Sequence, residues 1–234
     1  MGKYTEPNVI DFFSGKPLES IEQEQIIRLS PEIDGLSMLY SNNKNKDKFF
    51  AMKILCWGLK WNGEVVGMVP WLNQVMPCDE IKDAAHGHFE GYYDPETDSI
   101  FFEAPMHKIV ELETSLAYFE QEEVQTDADK VIQRIPDNIG THAIAICSDD
   151  QRLTLTEINS WQLKGDGQII GMIIDNDKVT STPILMNDQA LYSATEKPGF
   201  RYYFQHSIAN QLKRKEPDAL AAIKILLKKD GHRS

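Results

Sequence analysis

The chain has 234 residues, 41% hydrophobic and 26% charged, proportions that support a buried core and exclude a disordered chain. Lys and Arg number 24 against 36 Asp and Glu, a formal net charge of −12, which repels phosphate backbones and makes nucleic acid a poor partner. Cys56, Cys78 and Cys147 form no CxxC pair and read as reduced thiols. The N-terminal MGKYTEPNVIDFF has no signal-peptide pattern and no apolar run approaches a membrane span, so the expected location is cytoplasmic, with no membrane partner.

Residues 1–19 read as an N-terminal arm. Ile21 to Leu29 has amphipathic helical spacing and ends at Pro31, which removes a donor and disfavours helix in the residue before it. A strand is expected at Leu36 to Tyr40. The Asn- and Lys-rich stretch from Asn42 to Lys48 reads as a surface loop.

Next comes a hairpin, WGLKWNGEVVGMV. Asn62-Gly63 is a preferred pair for a two-residue type I′ turn, because both central positions need positive φ. Closing on that turn pairs Leu59 with Val66 and Trp57 with Met68, a sulfur–aromatic contact on the core face. It sets Gly58 opposite Gly67 on the other face, with space there for a helix or another backbone.

The segment AAHGHFEGYYDPETD places His86, His88, Glu90 and Tyr92 two apart, so on a regular strand they share one face. Two imidazoles and a carboxylate form the set that holds a first-row divalent metal with open positions for substrate, with Tyr92 or His107 assisting. The opposing reading is a polar strand face or loop. DPETD, residues 94 to 98, alternates carboxylates as a calcium loop does but lacks the Gly and the Glu that complete one, and reads as a turn. Pro105 to Val124 then carries Ile109, Leu112, Leu116 and Phe119 at helical spacing.

Much of this recurs. Trp57 to Val69 superposes without gaps on Trp161 to Ile173, with Trp, Leu, Lys, both Gly and Met identical. Upstream, Gln25 to Gly35 lies over Lys130 to Gly140, and Ile54 over Ile158. Downstream the match weakens, and with deletions Phe101-Phe102 aligns with Tyr202-Tyr203 and His107 with His206. Two units follow, residues 20–125 and 126–234, related by a pseudo-two-fold axis. The charged stretch Gln121 to Asp129 has helical character and contains no Gly or Pro, so a shared core is expected. The second unit then contains a helix at Ala128 to Ile135, a strand at Thr141 to Cys147, a hairpin pairing Leu163 with Ile170 and Trp161 with Met172, and helices over Phe204 to Lys215 and Ala219 to Lys229. The expected class is α+β, two tandem pseudo-symmetric repeats, each a mainly antiparallel sheet with packed helices.

Familiar catalytic patterns are missing: no GxSxG, GxxxxGK[ST], HExxH, or GxGxxG between a strand and a helix. Cys147, with His142 or His206 as a base, carries no nucleophile signature and reads as a buried strand residue. The aromatic stretch GFRYYF, residues 199 to 204, resembles an RNA-binding strand, but the acidic balance opposes that reading. Lys213-Arg214-Lys215 and Lys228-Lys229 read as a solvated helix face.

The expectation is therefore a non-enzymatic module without a cofactor, a pseudo-dimeric monomer or a homodimer, binding a small ligand or a protein through Trp61, Trp71 and Tyr92. The alternative is a metal-dependent oxygenase or hydrolase using His86, His88 and Glu90.

Overall fold

The structure, a computed structural model, describes residues 23–42, 45–82, 87–117, 128–146, 153–174, 191–208 and 211. Among these residues fifteen strands are defined: β1 Ile26–Pro31, β2 Ser37–Asn42, β3 Asn45–Lys53, β4 Cys56–Lys60, β5 Val65–Trp71, β6 Gln74–Pro77, β7 His88–Asp94 and β8 Ser99–Phe101. After the helix α1, Met106–Ala117, come β9 Val131–Pro136, β10 Thr141–Ile146, β11 Leu153–Glu157, β12 Ser160–Lys164, β13 Ile169–Ile174, β14 Leu191–Ser193 and β15 Phe200–Gln205. They form four small antiparallel sheets, ordered β1-β4-β5-β6, β3-β2-β7-β8, β9-β12-β13-β14 and β11-β10-β15, in a propeller-like ring. This corrects the α+β expectation: the layers are sheets, and only α1 packs on them as a full helix among the described residues.

The correction has a local cause. Ile21 to Leu29 and Ala128 to Ile135 were expected as helices, yet both regions run into strands, β1 and β9. In β1, Ile26 pairs with Lys60 but Arg28 pairs with Leu59, so Ile27 is an extra residue, a β-bulge. The bulge turns a period of two into a spacing of three, and Ile26 and Leu29 are both buried. The same device recurs in β9, where Val131 pairs with Lys164 and Gln133 with Leu163, leaving Ile132 extra. A bulged strand thus imitates one helical turn in its apolar spacing. Asn45–Lys53, expected to begin as loop, is strand β3, paired with β2.

The hairpins are where they were expected but one residue out of the expected register. Lys60 N–H donates to Glu64 O at 2.8 Å and Gly63 N–H to Lys60 O at 3.0 Å, with Gly63 at φ +91°. The loop therefore holds three residues, Trp61, Asn62 and Gly63, with glycine at the left-handed position of a bulged turn. Trp57 consequently faces Gly67, and Met68 faces Cys56. The second hairpin does the same, Trp161 facing Gly171 and Met172 facing Ser160, with Lys164 N–H bonded to Gln168 O at 2.8 Å.

This register explains the glycine. A Cβ on Gly67 would lie 2.7 Å from Cε1 of Tyr92, whose ring fills the space over Trp57, the two centroids 4.9 Å apart. Gly67 N–H donates to the Tyr92 phenol at 2.9 Å, and the Trp57 indole donates to Glu32 Oε2 at 2.6 Å. Tyr203 repeats the part of Tyr92: Gly171 N–H donates to its phenol at 3.2 Å, its ring lies 5.0 Å from Trp161, and the Trp161 indole donates to Asp137 Oδ1 at 2.9 Å. The counterpart of Tyr92 is therefore Tyr203, which replaces the alignment of Phe101-Phe102 with Tyr202-Tyr203. Gly67→Ala is expected to cost about 1–3 kcal/mol by driving the phenol off its site, measured as a lower urea midpoint with an unchanged slope.

Two apolar clusters result. One surrounds Met38, Trp57, Leu59, Tyr92 and Leu112; the other joins Ile26, Leu29, Val66 and Met68 to Ile135, Trp161, Leu163 and Tyr203, so it draws on strands before and after α1. Glutamine side chains tie the sheets at their edges. Gln133 donates to Leu29 O at 2.7 Å and accepts from Leu29 N–H at 2.9 Å, and Gln205 makes the same pair of bonds with Lys53 at 3.0 and 3.1 Å. Each amide substitutes for a missing neighbour strand and satisfies backbone groups that burial would otherwise leave unpaired. No helix among the described residues is long and apolar enough to cross a membrane.

Candidate functional site

The sequence-level candidates scatter. His86 and Cys147 lie outside the described residues, as do Lys213 to Lys215, Ala219 to Lys229 and most of Gln121 to Asp129. Of the remaining metal candidates, His88 begins β7 opposite Ser41, and Glu90 accepts a hydrogen bond from the Ser41 hydroxyl at 2.5 Å. The expected common face is broken by another bulge. Tyr40 pairs with Phe89 but Leu39 with Gly91, so Glu90 is extra and Gly91 sits at φ +128°. Tyr92 therefore packs with Phe89, centroids 5.0 Å apart, in the core. Among the described residues no group of three or more His, Cys, Asp or Glu is placed to hold a metal ion.

The aromatic candidates are also largely interior. Trp71 is buried edge-on against Tyr40 at 5.3 Å, and Tyr92 is buried against Trp57. The expected aromatic binding surface is thus mostly core, and only Trp61, half-buried in the hairpin loop, keeps an open side. Cys56 and Cys78 are buried free thiols, and burial pushes both well above the usual thiol range.

A groove of about 450 Å³ opens instead between the β7–β8 hairpin and the start of α1. Leu36, Phe101 and Pro105 form its apolar lining, and Asp34, Asp94, Glu96 and His107 its polar one. Each polar group is positioned locally. Glu32 Oε1 accepts from the backbone N–H of Asp34 at 2.5 Å, turning the chain so that the Asp34 carboxylate meets His107 Nε2 at 2.8 Å. Pro105 O accepts from Lys108 N–H at 2.9 Å in the first turn of the helix that carries His107. Asp94 closes the β7–β8 turn, accepting from Thr97 Oγ1 and Glu96 N–H, both at 2.8 Å, and these bonds hold its carboxyl below the usual carboxylate range. DPETD is thus a hairpin turn whose Asp94 and Glu96 carboxylates rim the groove. Three carboxylates against one imidazole make a site suited to a cationic group with an apolar portion.

A second polar cluster surrounds Lys60, the lysine of the recurring Trp-x-Leu-Lys. Its ammonium is buried and lies 2.7 Å from Glu24, 3.1 Å from Glu64, and 3.9 Å from both Asp79 and Glu80. Burial, the largest single influence, acts to lower its pKa, but the hydrogen bonds to Glu24 and Glu64 together with the charges of Asp79 and Glu64 outweigh it and raise the pKa. At the corresponding place Lys164 donates to the backbone oxygen of Asp129 at 3.1 Å. Sequence reading missed both the groove and this cluster, because most of their members stand far apart in the chain. The one signal in the sequence was the set of carboxylates in DPETD. No protein-family model, curated protein or solved structure matches the chain.

Proposed function

We propose that the protein is a non-enzymatic binding module built by internal duplication of units 20–125 and 126–234. Its binding site is the groove of Asp34, Asp94, Glu96 and His107. The observation that carries the reading is the placement of three carboxylates around an apolar lining of Leu36, Phe101 and Pro105, open to solvent. Such a site binds through charge and shape, and none of its lining residues is a Ser, Thr, Cys or Lys set beside the His107 imidazole. The duplication is supported by the repeated strand order and by the repeated set of Trp, Gly, Tyr and acid. The free thiols of Cys56 and Cys78 suit a reducing cytoplasm.

The test is a titration of isotope-labelled protein with a library of small cationic, neutral and anionic compounds. Saturable amide shifts at Leu36, Phe101 and His107 are expected from cationic members carrying an apolar group, and Glu96→Lys should abolish them. The reading fails if no compound of any charge moves these amides.

A further inference from the structure

We propose that the free edge of β8, beside this groove, takes an extended segment of a partner protein in which cationic and apolar residues alternate. The inference rests on the binding-module reading and specifies the partner. β8 is the last strand of its sheet, paired only with β7, and among the described residues no other backbone group bonds to it. Sheet edges are ordinarily blunted by being very short, by proline or lysine, or by a covering element. β8 is short, three residues, but Ser99, Ile100 and Phe101 include neither proline nor lysine. An incoming strand would find unpaired N–H and C=O groups there, the basis of recognition by strand addition.

The two faces of this edge differ in chemistry, and that selects the partner. Phe101 points inward, 5.7 Å from Tyr92, and it borders the groove with Asp94 and Leu36. Ile100 and Phe102 point to the other face. They cover Gly91, their atoms 2.8 and 3.3 Å from where its Cβ would lie, yet Ile100 is 56% exposed and Phe102 72%. Successive side chains of an added strand alternate between the two faces. Residues sent inward meet Asp34, Asp94 and Glu96, so they should be cationic; residues sent outward meet Ile100 and Phe102, so they should be apolar. A second copy of this chain fits poorly, because two molecules of formal charge −12 repel.

The experiment uses fluorescence anisotropy with two labelled peptides of equal composition and charge, Lys-Val-Lys-Val-Lys-Val and Lys-Lys-Lys-Val-Val-Val. The alternating peptide should bind at least about tenfold more tightly than the block peptide, because only alternation satisfies both faces of an added strand. An Asp94→Lys, Glu96→Lys variant should lose at least about tenfold of that affinity, and Phe102→Ser should weaken it separately. Equal binding of the two peptides would reduce the effect to bulk charge and overturn the proposal. If neither peptide binds while library compounds still shift Leu36 and Phe101, the strand-addition proposal falls and the binding module stands; if the compounds fail as well, both fall. A concentration-dependent dimer in sedimentation velocity that Ile100→Lys abolishes would assign the edge to a second copy and also overturn the proposal.

Discussion

Trp57→Ala is expected to lower stability by about 3–5 kcal/mol, the range for deleting a fully buried large aromatic side chain. Trp57 has no exposed surface and lies at the centre of the first apolar cluster. Its removal leaves a void bounded by Tyr92, and it takes the indole donor from Glu32, a carboxylate buried to 4% exposure. The Glu32 side chain also orients the backbone of Asp34 and Leu36, through bonds of 2.5 and 3.3 Å from their amides. The substitution therefore has a second readout, weaker ligand binding in the groove that Asp34 and Leu36 line. Trp57→Phe restores most of the volume without the donor and should cost less. Chemical denaturation of both variants checks the order, and a loss below about 1 kcal/mol for alanine would mean that the cluster repacks freely, contrary to the density of folded cores.

Lys60→Met should also destabilise strongly, by about 3 kcal/mol at neutral pH, the lower end of the range for removing one partner of a buried pair, since the four carboxylates are partly exposed. Glu24, Glu64, Asp79 and Glu80 would then face one another without their shared counter-ion, and Asp79 already has one buried carboxylate oxygen with no hydrogen-bond partner. The pH dependence has a definite sign. Burial raises the Glu80 pKa, Lys60 opposes that rise, and Asp79 and Glu24 add to it. A carboxyl raised in the folded state favours folding fully below its ordinary value and loses that contribution as pH climbs through the raised value. Without Lys60 the opposing influence is gone, so the deficit of the variant should shrink on acidification from pH 7 toward about pH 5 as Glu80 takes up its proton. The raised Lys60 pKa in the native protein makes its own contribution complete below the ordinary lysine value, lost only at strongly alkaline pH. Denaturation midpoints of both proteins at the two pH values test this; equal deficits would show that the ammonium acts by packing alone.

Sequence reading by itself determined what depends on near neighbours in the chain. The two hairpins, their glycine turns and the start of α1 follow from local conformational preference, since Gly63 and Gly167 take positive φ and Pro105 precedes the helix. The recurrence of Trp, Leu, Lys, Gly and Met was equally visible, because it is a property of residue order. What failed were the inferences that carried an uninterrupted period through a bulge, whereas the helical period of α1 held. Bulges at Ile27, Ile132 and Glu90 each add one residue to a strand, which made β1 and β9 look helical and removed His88, Glu90 and Tyr92 from a common face. A bulge is stabilised by what packs on both sides of the strand, and that information is not local. The third residue in the hairpin loop acted likewise, exchanging Met for Gly opposite Trp57 and admitting the ring of Tyr92. Tertiary structure alone brought Asp34 to His107, and Glu24, Asp79 and Glu80 to Lys60 beside its hairpin neighbour Glu64, because carboxylates distant in sequence become neighbours only when the strands between them pair.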